Sequence, residues 1–160
     1  VVGSAIANAS DDVIYTWAGP EIAVATTKAY STQLIAGYLL AMQFALARGE
    51  MEQETYDALL TELNTIPEKI EKILEDKERI QWYANKLAGC KDAFFIGRGI
   101  DYAIGLEGSL KMKEISYIHS QYYGAGELKH GTISLIGKGT VAISLMTNEE
   151  LFEKSLSKII

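Results

Sequence analysis

Ala93-Phe94-Phe95-Ile96-Gly97-Arg98-Gly99 is the stretch on which the fold turns. A short apolar run of this kind is the pattern of a strand buried on both faces. Gly97 and Gly99 let the backbone turn sharply at its end. From about residue 102 to 117 the pattern becomes helical. A buried strand that passes at once into a helix is the start of a βα unit, the building block of a parallel sheet.

Working outward, Val141-Ala142-Ile143-Ser144-Leu145 reads as a second buried strand, and Asn148 as the cap of a closing helix. Upstream, Val13-Ile14-Tyr15-Thr16-Trp17 is rich in β-branched and aromatic residues and predicts a strand closed by Ala18-Gly19-Pro20. A long helix follows over 27–47, with Thr26 or Thr27 as its cap and Gly49 at its end. Tyr56, Leu59, Leu60 and Leu63 recur at helical spacing. Pro67 opens a further helix as a first-turn proline, and Ile80, Tyr83, Ala84 and Leu87 mark another. Residues 118–140 read as irregular, with His119 in a cap role just past a helix end. Strands alternating with helices predict an α/β fold, a mainly parallel sheet flanked by helices.

The chain has 160 residues, 48% of them hydrophobic and 22% charged, an ordinary globular composition of about one domain's length. Its charge of −6 argues against sequence-independent binding to nucleic acid. Ten acids against five bases fall within residues 50–87, which read as a solvated helical zone. The longest apolar stretch, residues 34–47, is shorter than the roughly 20 residues a bilayer requires, so no membrane partner is expected. The start at Val1 shows no signal peptide and suggests a piece of a longer polypeptide; an end inside a helix at residues 158–160 would fit that. With one cysteine, Cys90, there is no intrachain disulfide or multi-cysteine metal cluster. Cys90 reads as a buried inert thiol, and Trp17 and Trp82 as packing residues. Neither a metal nor a cofactor is expected.

Four places can carry chemistry. The Gly97-Arg98-Gly99 turn offers a helix N-terminus to an anion at the carboxyl end of a strand, but it lacks the third glycine of a dinucleotide site and the lysine of a P-loop, and serves equally as a tight turn. In the helix Leu106-Glu107-Gly108-Ser109-Leu110-Lys111-Met112-Lys113-Glu114, Lys111 and Glu114 share a face, with Glu107 one turn before. On a solvated surface this is an ordinary ladder; facing a cleft, a carboxylate beside an ammonium can move protons. The glycine-rich run Gly124-Ala125-Gly126-Glu127-Leu128-Lys129-His130-Gly131 can present His130 from a loop holding at most one helical turn, and Tyr122-Tyr123 before it can line a pocket or an interface. Last, Gly19-Pro20-Glu21-Ile22-Ala23-Val24 puts backbone around Val24 at a strand end.

Together these motifs resemble a known family. LEGSLKMKEISYIHSQYYGAGELKHG (106–131), FFIGRG (94–99), AGPEIAVATTKAYSTQL (18–34) and VVGSAIANASD (1–11) are similar, in collinear order, to the isomerase half of the glucosamine-6-phosphate synthases, the isomerizing glutamine–fructose-6-phosphate aminotransferases. The resemblance implies a sugar isomerase (SIS) fold of flavodoxin-like, three-layer type, incomplete in this chain. Residues 1–48 would end a first SIS subdomain, 49–88 connect, and 89–160 begin a second. It implies fructose-6-phosphate and glucosamine-6-phosphate as ligands, an N-terminal glutaminase domain in the parent, a homodimer, and the cytoplasm. Glu114 matches the glutamate that moves a proton between sugar C1 and C2. Lys111 matches the lysine assisting at the hydroxyls. His130 matches the histidine that opens the ring from a neighbouring subunit, and Val24 a residue whose backbone contacts the sugar.

Thr132, Trp17 and Ala23 depart from the usual proline, histidine and glycine. The phosphate-binding loop, the C-terminal Schiff-base lysine and the glutaminase are absent from the stretch, so the isolated chain is expected to be inactive. A related fructosamine phosphate deglycase and a non-catalytic sugar-phosphate sensor are the alternatives. Binding alone needs no general base, so the Lys111–Glu114–His130 set speaks against the sensor.

Overall fold

The computed structural model describes residues 1–156; the chain end expected at 158–160 lies outside them. The chain forms two compact units, residues 1–76 and a second beginning at Lys77.

The first unit is helical. Helix α1 (Ala5–Ala9) is capped by Ser4, whose Oγ accepts from the Ala7 N–H at 3.2 Å. Residues 13–17 do not form the expected strand. They are irregular and largely exposed, and the first unit contains, among the described residues, no strand with which they could form a ladder. Trp17 is 92% exposed with φ of 55°, so it does not pack as its size suggests.

Helix α2 (Lys28–Ala47) follows. Thr27 is its N-cap residue but makes no side-chain cap bond. The cap comes from Glu21, whose Oε2 accepts from the Ala29 N–H at 3.2 Å. The helix ends as expected at Gly49, with φ of 72°. There the Gly49 N–H donates to Leu46 O and the Glu50 N–H to Ala45 O, the paired bonds of a Schellman motif. Helix α2 packs against α3 (Gln53–Asn64), where the Tyr56 hydroxyl donates to Gln43 Oε1 at 3.3 Å. Thr65 then joins α3 to α4 (Ile66–Leu74), which carries Pro67 in its first turn. Lys69 and Glu62 form an exposed ion pair across that joint. No described helix is long and apolar enough to cross a membrane.

The second unit opens with α5 (Lys77–Leu87), on which Trp82 stays half exposed, edge-on to Tyr83 at 4.9 Å and under the Lys86 ammonium at 4.3 Å. Cys90 is only partly buried, contrary to expectation. The sheet follows: β1 (Asp92–Gly97), helix α6 (Ile100–Ser116), β2 (His119–Gly124), 3-10 turns at Leu128–His130 and Thr132–Leu135, β3 (Thr140–Ser144) and helix α7 (Glu149–Leu156). Asn148 caps α7 through its Oδ1, 3.2 Å from the Leu151 N–H.

The three strands are parallel in the order β2-β1-β3, so the Ala93–Ile96 run is the central strand. Both of its faces are covered. Phe95 looks toward α6 at Gly108, whereas Ile96 packs with Ala125, Leu128, Tyr123 and Ile136. Strand β2 lies where irregular chain and a capping His119 were expected. His119 starts the strand instead, opposite Asp92, its Nδ1 2.8 Å from Asp92 Oδ1. His-Ser-Gln-Tyr-Tyr-Gly has no β-branched residue, and pairing with β1 overrides that weak propensity.

Candidate active site

Helix α6 positions the charged residues. Its sheet-facing side is made of small residues, and each has a reason. An added Cβ on Gly105 would sit 1.9 Å from the Tyr122 ring, and one on Gly108 would be 3.0 Å from Phe95. Ser109 is buried and accepts a hydrogen bond from the Ser120 hydroxyl of β2 at 2.9 Å. At about 100° per residue, Glu107, Lys111 and Glu114 lie roughly 180–240° around the helix from Gly105. They therefore occupy the side turned away from the unit's own sheet.

On that side the three side chains meet. Lys111 Nζ is 2.6 Å from Glu114 Oε2 and 3.3 Å from Glu107 Oε1. The side chains are sheltered, 18% exposed for Lys111 and 22% for each glutamate. The hydrogen bond to Glu114 raises the Lys111 pKa above its ordinary value; burial opposes this, and Glu107 adds to it. Lys111 is thus a firmly protonated donor held between two carboxylates. The arrangement can polarise an oxygen with the ammonium while a carboxylate handles a proton next to it.

His130 is not joined to this group. It is exposed, at the end of the turn Leu128–His130, whose anchor is the buried Leu128. Val24 belongs to the first unit and is 85% exposed. Its loop is clipped at the base twice: Lys28 Nζ donates to Pro20 O at 2.6 Å, and Glu21 caps α2. That holds the backbone around Val24 in a fixed projection.

Of two buried residues near the strand ends, one was not singled out from the sequence and the other sits otherwise than expected. Asp101, in the first turn of α6, is 4% exposed and bound to Thr147. Its signal was an acid just inside a helix start, after Gly-x-Gly. Tyr122, one of the pair expected to line a pocket or an interface, is instead buried against α6, edge-on to Tyr102 at 4.6 Å. Burial pushes its phenol up to about 12, and Tyr102 and Asp101 add to the shift.

Known proteins share this framework. Residues 86–157 match the SIS domain family. Over 159 residues, 99% of this chain, it is 56% identical to a glutamine–fructose-6-phosphate aminotransferase [isomerizing] of Caldanaerobacter subterraneus subsp. tengcongensis and 58% identical to the protein so named in Clostridium tetani. The chain spans about a quarter, 26%, of the length of these curated relatives. Among solved structures it is similar to the C-terminal domain of glucosamine-fructose-6-phosphate aminotransferase from Francisella tularensis. The TM-score is 0.95 at 35% identity, covering 99% of this chain and 44% of that one. The chain thus matches the SIS domain over residues 86–157 and, along nearly its whole length, is similar to isomerizing glutamine–fructose-6-phosphate aminotransferases over about a quarter of theirs.

Proposed function

We propose that this chain is part of the sugar-isomerase half of an enzyme that makes glucosamine-6-phosphate from fructose-6-phosphate and glutamine-derived ammonia. Residues 1–48 end one sugar-isomerase subdomain, 49–88 connect, and 89–160 begin the next. The observation that carries the reading is the Lys111 ammonium shared by Glu107 and Glu114 on a sheltered face of α6.

A ketose–aldose shift needs one base that takes a proton from C1 and returns it to C2. Glu114 fills that role. Ammonia first condenses with the C2 carbonyl, forming a C=N bond and releasing the C2 oxygen as water; Lys111, kept protonated, then donates to the C1 oxygen as charge develops during the proton shift. Glu107 keeps Lys111 anchored while Glu114 engages the sugar. His130, exposed on its turn, opens the sugar ring from a neighbouring subunit, which makes the working unit a homodimer. The clipped loop offers the backbone at Val24 to the sugar. A glutaminase domain in the same polypeptide supplies ammonia, and the reaction runs in the cytoplasm.

In the complete protein that carries this chain, Glu114→Gln removes the base and keeps its shape. The expected result is a loss of turnover of about a hundredfold or more, with sugar-phosphate binding retained. Turnover near that of the starting protein would overturn the assignment.

A further inference from the structure

Open parallel α/β sheets take their ligands at the carboxyl ends of the strands, and in the second unit the β1–α6 turn lies there. In this chain the place is already filled. The Asp101 carboxylate accepts the Thr147 N–H at 3.0 Å and the Thr147 hydroxyl at 2.5 Å. These two bonds tie the segment after β3 to the start of α6. The N–H groups of Asp101 and Tyr102, which an anion needs at a helix N-terminus, donate instead to Arg98 O and Gly99 O, each at 3.1 Å.

The corner itself is packed. A Cβ on Gly97 would lie 2.7 Å from the Tyr122 hydroxyl, 3.0 Å from Asp101 Cβ and 3.1 Å from Asp101 C. That hydroxyl and the Arg98 Nε have no hydrogen-bond partner, but both are closed off from solvent. Asp101 adds a negative charge where a phosphate would come to rest, and the two repel.

We infer that the strand-end crevice of the second unit is occupied by its own chain: Asp101 and Thr147 latch it shut against phosphate, and this unit meets the phosphosugar of its own subunit through the outer face of α6, away from that crevice. The closure stands on the second unit alone, whereas the consequence for the sugar rests on the proposed function.

Backbone amide NMR of the chain during titration with inorganic phosphate tests the closure. No saturable shift is expected at Gly97, Gly99, Asp101, Tyr102 or Thr147; a saturable shift at these amides overturns the inference. Hydrogen exchange at the Thr147 amide tests the latch. Asp101→Ala removes a charged acceptor and raises that exchange about tenfold or more. Thr147→Ser keeps both bonds and leaves it unchanged. Where Asp101→Ala does not fold, Asp101→Asn gives the same comparison with a smaller rise. Exchange that is the same with and without the Asp101 carboxylate overturns the latch. Neither measurement reads turnover, so failure of the proposed reaction leaves both results interpretable.

Discussion

Residues 13–17, Val-Ile-Tyr-Thr-Trp, and residues 93–97, Ala-Phe-Phe-Ile-Gly, both carry β-favouring side chains, and the first run is the richer in them. Val13, Ile14 and Thr16 are β-branched; in the second run only Ile96 is. Yet the second becomes the central strand of a sheet while the first stays irregular and exposed. The difference lies in what surrounds each. Strand β1 has β2 on one edge and β3 on the other, α6 over one face and the Leu128 cluster over the other. Strand propensity measures fit to a pleated, covered surface, and a run without ladder partners has no such surface to fit.

The sharpest way to break this contrast is to cut the same side chain in each run. Ile96 is 1% exposed, and Ile96→Ala removes its contacts with Ala125 and Leu128. The expected cost is about 2–5 kcal/mol. Ile14 is 64% exposed, and Ile14→Ala should stay within about 0.5 kcal/mol. Urea unfolding of each variant against the starting protein, followed by far-ultraviolet circular dichroism, measures both. Equal losses would mean that residues 13–17 are packed and that the contrast is false.

The next effect concerns the cover over the sheet. Gly105→Ala drives a methyl group toward the Tyr122 ring, where only 1.9 Å is free. Overpacking of this kind costs about 1–3 kcal/mol. Adding Tyr122→Ala empties the notch, so the double variant should lose less than the two single losses added together. Strict additivity in thermal unfolding would show that the ring and the glycine do not share the space.

Much of this layout was legible from local chemistry. Pro67, Gly49 and Asn148 marked helix ends because each acts within its own turn. The Ala93–Ile96 strand announced itself by unbroken apolar character. The Glu107–Lys111–Glu114 ladder was readable from spacing, since helix geometry alone brings residues three and four apart together. What could not be read depends on distant partners. The strand at His119–Gly124 exists because β1 lies beside it. The buried Asp101 meets Thr147 across 46 residues. Glu21, and not a threonine, caps α2 because the loop folds back eight residues. The side to which the ladder points followed only once Gly105 and Ser109 were seen against the sheet.

The ladder gives a pH-dependent test away from the core. The hydrogen bond to Glu114 holds Lys111 above lysine's ordinary 10.5. An amine raised in the folded state contributes its full stabilisation below its unfolded value and loses it as pH rises through the folded value. The stability gap between the starting protein and Lys111→Met should therefore be level up to about pH 10 and shrink above it. Chemical denaturation across that range measures it. A gap that stayed constant beyond the lysine range would mean that the contribution of Lys111 is not one of charge.

The smallest effect asks whether the β1–β2 ladder depends on its first rung. Asp92 and His119 face each other in register and form an ion pair when the imidazole is protonated. Their side chains are 46% and 65% exposed, so water competes for both groups and salt screens them. An exposed pair of this kind is worth about 0.2–1 kcal/mol. Asp92→Asn keeps the strand backbone and should cost no more than that, with the loss fading at high salt. Most of the ladder's stability then comes from the buried rungs at Ser120 and Tyr122. A loss as large as that of Ile96→Ala, persisting in high salt, would move the origin of the pairing to the strand entrance and make the contrast with residues 13–17 one of electrostatics instead of burial.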